Sequence, residues 1–307
     1  MDHFLLIGYG GPRHAGEVDP YLERITAGKN LPASRLREVR EHYLDVGGVS
    51  PYNAHVLAFA DSLERSLRDR GNPLPVFVGM RNWHPFLSDT LASVAEQGLK
   101  KGFAFILAPH RSEASCLRYK RSLDEAVEFS GVDIDYHFPG RWHTHPLFIR
   151  ALAANLRAAL EKAGPAAGPV AVIFSAHSIP RKMLGACPHC DYEKEYRATC
   201  EAVAREAGLL RWSLAYQSAS GGKTGDWLGP DILEALRAAA QEGARSAVVM
   251  PAGFLCDHVE ILYDLDREAK AECEKLGLGF FRAATVMERP EFLEMTAGMA
   301  RPAEVCR

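Results

Sequence analysis

Short apolar runs that stop at glycine, proline or a polar residue recur along the chain, at Phe4 to Gly8, Pro75 to Gly79, Phe103 to Ala108, Val170 to Ser175, Leu214 to Tyr216 and Ala247 to Met250. Their hydrophobic positions are consecutive rather than alternating, the pattern of parallel strands covered on both faces. The intervening segments carry apolar residues at helical spacing, as in Leu57, Ala60, Leu63 and Leu67, or Leu233, Leu236, Ala239 and Ala240. Strand alternating with helix predicts an α/β fold of parallel sheets flanked by helices.

The pattern also repeats within the chain. His3 to Arg13 resembles Val170 to Arg181, and Gly102 to His110 resembles Ala244 to Phe254. Two similar halves are therefore expected, residues 1–146 and 147–307. The helical stretch Leu147 to Leu160 fits either half, and the last helix is a candidate to pack back on the first.

Composition narrows the class. With 47% hydrophobic and 24% charged residues, and 26 Gly and 18 Pro scattered over 307 positions, the chain is neither collagen-like nor disordered. A formal charge of -3 provides no field for a nucleic-acid backbone, so a small-molecule partner is expected. The start Met1-Asp2-His3 has no basic region before its apolar run, and no apolar segment is long enough to span a bilayer. A soluble, cytoplasmic protein without an integral membrane segment is the expectation. Seven cysteines without an export signal argue for thiols or metal ligands over a disulfide framework.

Ligands of parallel α/β sheets bind beyond the carboxyl ends of the strands, which makes Tyr9, Arg81, His110, His177, Gln217 and the stretch Pro251 to Glu260 the candidate site. An imidazole placed directly after a strand, as His177 is, can accept a proton or bind a metal. The plain alternative is a capping turn. Glu260, Asp264 and Glu268 recur every fourth residue and form one column on a helix. A solvated acidic face would explain them, but Val259, Ile261, Leu262 and Leu265 make this segment apolar enough to bury. Carboxylates leading inward would then form a path for a divalent cation such as ferrous iron.

Tyr9-Gly-Gly-Pro12, Gly47-Gly-Val-Ser-Pro51, Arg81-Asn-Trp-His-Pro85, Leu107-Ala-Pro-His110, Ser175-Ala-His-Ser-Ile-Pro180, Tyr216-Gln-Ser218, Trp227-Leu-Gly-Pro230 and the stretch from Pro251-Ala-Gly-Phe254 through Asp257-His-Val-Glu260 together resemble the ferrochelatases, in order over nearly the whole chain. The resemblance implies two Rossmann-like halves with the active-site cleft between them and no nucleotide. It implies insertion of Fe2+ into a porphyrin in heme biosynthesis, with His177 taking pyrrole protons or meeting the metal and Glu260 facing it. Asp264 and Glu268 would be the outer steps of the metal path. Tyr9 stands where family members acting on coproporphyrin III have a tyrosine able to ligate iron, and Ser50, Tyr119 and Arg81 are candidate substrate contacts. Arg24, Lys29, Arg35, Arg37 and Arg40 suit a substrate with four propionates, or are simply a solvated helix face. The basic residue common in bacterial members near Thr26 to Gly28 is missing. Protoporphyrin IX as substrate, a non-catalytic porphyrin or heme carrier, and a cobalt or nickel chelatase are the alternatives.

Cys187-Pro-His-Cys190, with Cys200 beyond it, matches neither a zinc ribbon nor a thioredoxin motif. Several ferrochelatase lineages hold a 2Fe–2S cluster, and Cys116 resembles one of their ligands, so a cluster on Cys116, Cys187, Cys190 and Cys200 is expected. A zinc site using these thiolates or His189, or no metal, are the competing readings. Cys256 and Cys273 are read as buried fillers and Cys306 as part of a tail.

Overall fold

A computed structural model describes residues 1–29, 32–131, 133–185, 189–219 and 226–300. It divides into two compact units. The first comprises Met1–Leu107, Cys116–Arg141 and the segment from Met287 onward; the second comprises Ala108–Ser115 and Trp142–Val286.

In the first unit, strands β1 (His3–Gly8), β2 (Val76–Met80), β3 (Lys101–Ile106) and β4 (Asp135–His137) form one parallel sheet in the order β2-β1-β3-β4. Phe4, Leu5, Leu6 and Ile7 are fully buried, as an unbroken apolar run between two helical layers must be. The helix Tyr52–Asp69 covers the sheet with Val56, Ala60, Leu63 and Leu67, while Leu57 on its other side stays exposed. The last described helix, Pro290–Met299, packs on it, with the rings of Phe59 and Phe292 centred 5.2 Å apart.

The second unit repeats the topology. Strands β5 (Val170–His177), β6 (Ser213–Gln217), β7 (Ser246–Met250) and β8 (Gly279–Arg282) are parallel in the order β6-β5-β7-β8. The helix Pro146–Ala163 belongs here, against β7, β8 and the helix Tyr192–Ala207. Helix Ile232–Gln241 starts in a capping box, Asp231 with Glu234, and sends Ile232 and Leu236 into a core shared with Ile173, Val249, Ile261, Leu265 and Cys273. Cys256 is buried as well.

Among the described residues no helix is long and apolar enough to cross a membrane.

Replacing fully buried Leu63 with alanine is expected to cost about 2–5 kcal/mol in urea unfolding, and the same change at exposed Leu57 under about 0.5 kcal/mol. Equal costs at the two positions would contradict the packing of this helix.

Candidate active site

A histidine facing a carboxylate lies at the carboxyl ends of β5, β6 and β7. His177 is the final residue of β5 and pairs in register with Gln217, the final residue of β6. Beyond β7 the chain turns back so tightly that a Cβ on Gly253 would lie 2.5 Å from Cβ of Ala176. The Gly253 N–H donates to the carbonyl of Ser175 at 3.1 Å. A glycine is required there, and its contact draws the loop leading to Glu260 across the end of β5. His258 then caps the helix Val259–Tyr263, its Nδ1 accepting from the Glu260 N–H at 3.2 Å. That role needs an unprotonated nitrogen, and burial lowers the His258 pKa accordingly.

Nε2 of His177 lies 3.6 Å from Oε1 of Glu260, and the side chains retain 34% and 43% exposure. Nδ1 is in a short contact with the Ser178 carbonyl; a carbonyl only accepts, so Nδ1 carries the proton and Nε2 is turned to the carboxylate. Burial alone would push this imidazole down. The charge of Glu260 and the Ser178 carbonyl override it and hold His177 up at about 9. Burial would likewise raise Glu260, but the facing imidazolium holds the carboxyl down at about 2. The two groups therefore keep each other charged at neutral pH.

Asp264 has the opposite fate. Burial, reinforced by the charges of Glu260 and Glu268, raises it to about 7 although the Ser218 hydroxyl opposes the shift. Ser218 donates a short hydrogen bond to Oδ2 of Asp264 from a left-handed backbone, φ 62°. Gln217 Nε2 reaches the same oxygen at 3.4 Å and the Glu260 carbonyl at 2.9 Å, while its Oε1 accepts from Ser175 at 3.1 Å.

The acidic column does not lie on a uniform α-helix. Helix Val259–Tyr263 passes into a π-helical segment, Asp264–Ala269, before α-helix resumes over Lys270–Leu276. Through this segment Asp264 faces Ser218 while Leu265 and Ala269 stay in the core and Glu268 is exposed. Wide helical turns of this kind are frequent at functional sites.

Other expected residues fall elsewhere. His110 is buried and bonded to Thr199 Oγ1 at 3.0 Å, and burial drives its pKa down to about 3, so it is a neutral packing group. In the first unit, Tyr9 is 37% exposed and its backbone N–H donates to the Tyr52 hydroxyl at 3.0 Å. Ser50 is buried beside the same loop, its N–H donating to the Pro12 carbonyl at 2.8 Å. Arg81 donates to Ser122 at 3.2 Å and lies 5.9 Å from the centre of the Tyr119 ring. Arg40 pairs with Asp19, Arg35 with Glu38, and Arg24 stacks over Phe86.

Among the described residues the structure does not show a cluster on the expected cysteines. Cys187 lies outside the described residues, Cys190 is disulfide-bonded, and Cys116 and Cys200 are free thiols, the first half-buried and the second fully buried. Among the described residues, no group of three or more His, Cys, Asp or Glu is arranged to hold a metal ion. The expectation of a 2Fe–2S or zinc site therefore has no support here.

Sequence reasoning also passed over Arg282, whose guanidinium bonds Asp257 and Asp266. Its partners are remote in sequence, so periodicity gave no signal. Ser218 was visible only as part of a motif.

Glu260→Gln is expected to lower the His177 pKa from about 9, because the largest influence raising it is lost while burial, which lowers it, remains. Imidazole titration by NMR reads this directly, and an unchanged high value would refute the pairing.

Comparison with known proteins identifies the family. A family model described as ferrochelatase matches residues 2–304. A ferrochelatase of Rhodopirellula baltica is 38% identical over 304 residues, spanning 98% of this chain and 85% of that protein. A coproporphyrin III ferrochelatase of Nocardia farcinica is 36% identical over 98% of this chain and 88% of its own length, and one of Mycolicibacterium smegmatis 33% identical over 97% and 88%. Among solved structures, SirB from Bacillus subtilis with Fe3+ aligns with a TM-score of 0.57 at 10% identity, over 97% of this chain and 93% of that one. CbiX, the terminal enzyme of siroheme biosynthesis in denitrifying bacteria, aligns at 0.55 and 13% identity, over 97% of both chains. At such low identity these two establish the fold alone. The match in sequence over nearly the full length, on the two-sheet α/β fold described above, makes this chain a member of the ferrochelatase family and a metal chelatase.

Proposed function

We propose that this chain inserts Fe2+ into coproporphyrin III, with His177 and Glu260 as the reacting pair. The observation that carries the reading is the placement of an imidazole and a carboxylate 3.6 Å apart at the strand ends of a family member. Insertion exchanges two pyrrole protons for one divalent cation, so the site must deliver a metal and receive protons. Glu268, exposed, Asp264, half-buried, and Glu260 form the path by which the cation sheds water. When the cation reaches Glu260, the negative charge that raises the His177 pKa is neutralised. The imidazolium then releases its proton to water, the freed nitrogen accepts one pyrrole proton and passes it to water in turn, and the second pyrrole proton leaves by the same route, so that two protons are exchanged for one cation.

Tyr9, Ser50, Tyr119 and Arg81 are the porphyrin contacts of this reading, with Tyr9 a candidate iron ligand. Preference for coproporphyrin III is supported by the relatives so named and by charge. Burial, then the nearby charges of Arg118 and Arg81, lower the Lys29 pKa, so three cations gather on the first unit. That suits a substrate rich in carboxylates and supplies positive charge one position beyond Thr26 to Gly28.

The test is metalloporphyrin formation with Fe2+, comparing coproporphyrin III with protoporphyrin IX. Coproporphyrin III is expected to turn over faster, and His177→Ala to lose at least about a hundredfold in kcat. Equal rates for wild type and His177→Ala would sink the mechanism, no insertion by the wild type would favour a carrier, and faster protoporphyrin turnover would overturn the substrate assignment. No step here passes through an iron–sulfur cluster on Cys116, Cys187, Cys190 and Cys200. Iron and acid-labile sulfide counts on anaerobically purified protein decide that question separately, matched iron and sulfide restoring the cluster and a colourless, sulfide-free protein removing it.

A further inference from the structure

Arg282 ends β8 and grips carboxylates on both sides of Glu260. Its Nε and Nη2 donate to the two oxygens of Asp266 at 2.6 and 3.1 Å, and its Nη1 and Nη2 to those of Asp257 at 3.2 and 2.9 Å. Thr285 Oγ1 adds a bond to Asp257 at 3.0 Å. Arg282 retains only 16% side-chain exposure, Asp257 23% and Asp266 33%, so this is a partly desolvated fork and not a loose surface pair. Asp257 lies in the loop before Glu260, and Asp266 in the π-helical segment after it. The arginine is itself anchored, since it pairs in register with Val249 of β7 and the next residue, Ala283, donates to the Val249 carbonyl at 2.9 Å.

We infer that Arg282 is a positioning residue for Glu260: it fixes the loop before that carboxylate and the turn after it to the rigid sheet, so that Glu260 meets His177. Its functional consequence rests on the chelatase reading; its geometry does not. One positive charge between two negative ones leaves this cluster at a net single negative charge, and a lysine would preserve that balance. A lysine ammonium has no planar fork, however, and cannot hold both carboxylates in fixed orientation. Charge and orientation are thereby separable by experiment.

Arg282→Lys and Asp266→Asn are the variants, made in the full chain. Measured are thermal unfolding, KM for Fe2+ and for porphyrin, kcat, and the 15N resonances of the His177 imidazole against those of Glu260→Gln. Both variants are expected to fold and to keep the porphyrin KM. Their kcat/KM for Fe2+ should fall by about tenfold to a hundredfold, the loss associated with an ångström-scale misplacement. Their His177 resonances should move toward those of Glu260→Gln. Wild-type resonances and metal kinetics in Arg282→Lys would show that charge alone suffices and overturn the inference. Loss of thermal stability with those readouts unchanged would overturn it too, leaving a purely structural ion cluster. Should Arg282→Lys not fold, Asp266→Asn decides on the same readouts. Were the wild type to insert no metal, the chelatase reading would fall, while the His177 resonances would still decide the role of Arg282.

Discussion

The His177–Glu260 pair is the interaction on which the rest of the site depends. Burial pushes each partner toward its neutral form, the imidazole toward dropping its proton and the carboxyl toward retaining one. Facing each other, both remain ionised. The pair exists because β5 and β7 lie side by side, with Phe174 in register with Met250, so that the segments following them emerge on one edge of one sheet. The tight approach at Gly253 and the cap at His258 then determine where on that edge the carboxylate stands.

Environment, not residue type, divides the labour among the acids. Glu260 is held down by a neighbouring cation, whereas Asp264, one helical step away, is held up by burial and by two neighbouring carboxylates. Groups of like chemistry with pKa values pushed apart are the usual signature of assigned roles. The π-helical segment gives Asp264 its place, turning it to Ser218 and Gln217 while the apolar side of the same helix stays packed on the sheet.

Behind the site lies a second polar group of the same unit. Arg111 bonds Glu195 through both its backbone N–H and its Nε, at 2.7 and 2.9 Å, and Thr199, on the helix with Glu195, meets His110. These buried contacts fix the helix Tyr192–Ala207, whose first residue, Tyr192, donates its hydroxyl to the His177 carbonyl at 2.8 Å. Polar residues that sequence position alone would assign to chemistry thus serve orientation.

The six apolar runs all emerge as strands, because a strand covered on both faces needs hydrophobic residues at every position. β4 and β8 left no such trace: Asp135 and His137 are exposed, and every residue of β8 is half-buried, since an edge strand is covered incompletely. The repeat, the strand-end location of His177 and the stepped acids were legible for the same reason, all being local patterns. What the tertiary structure alone decided is which groups meet and in what charge state: His177 with Glu260, Arg282 with two aspartates, His110 with a threonine. Those outcomes depend on distances between residues far apart along the chain and on how much water reaches them, and neither quantity is written into the periodicity of a sequence.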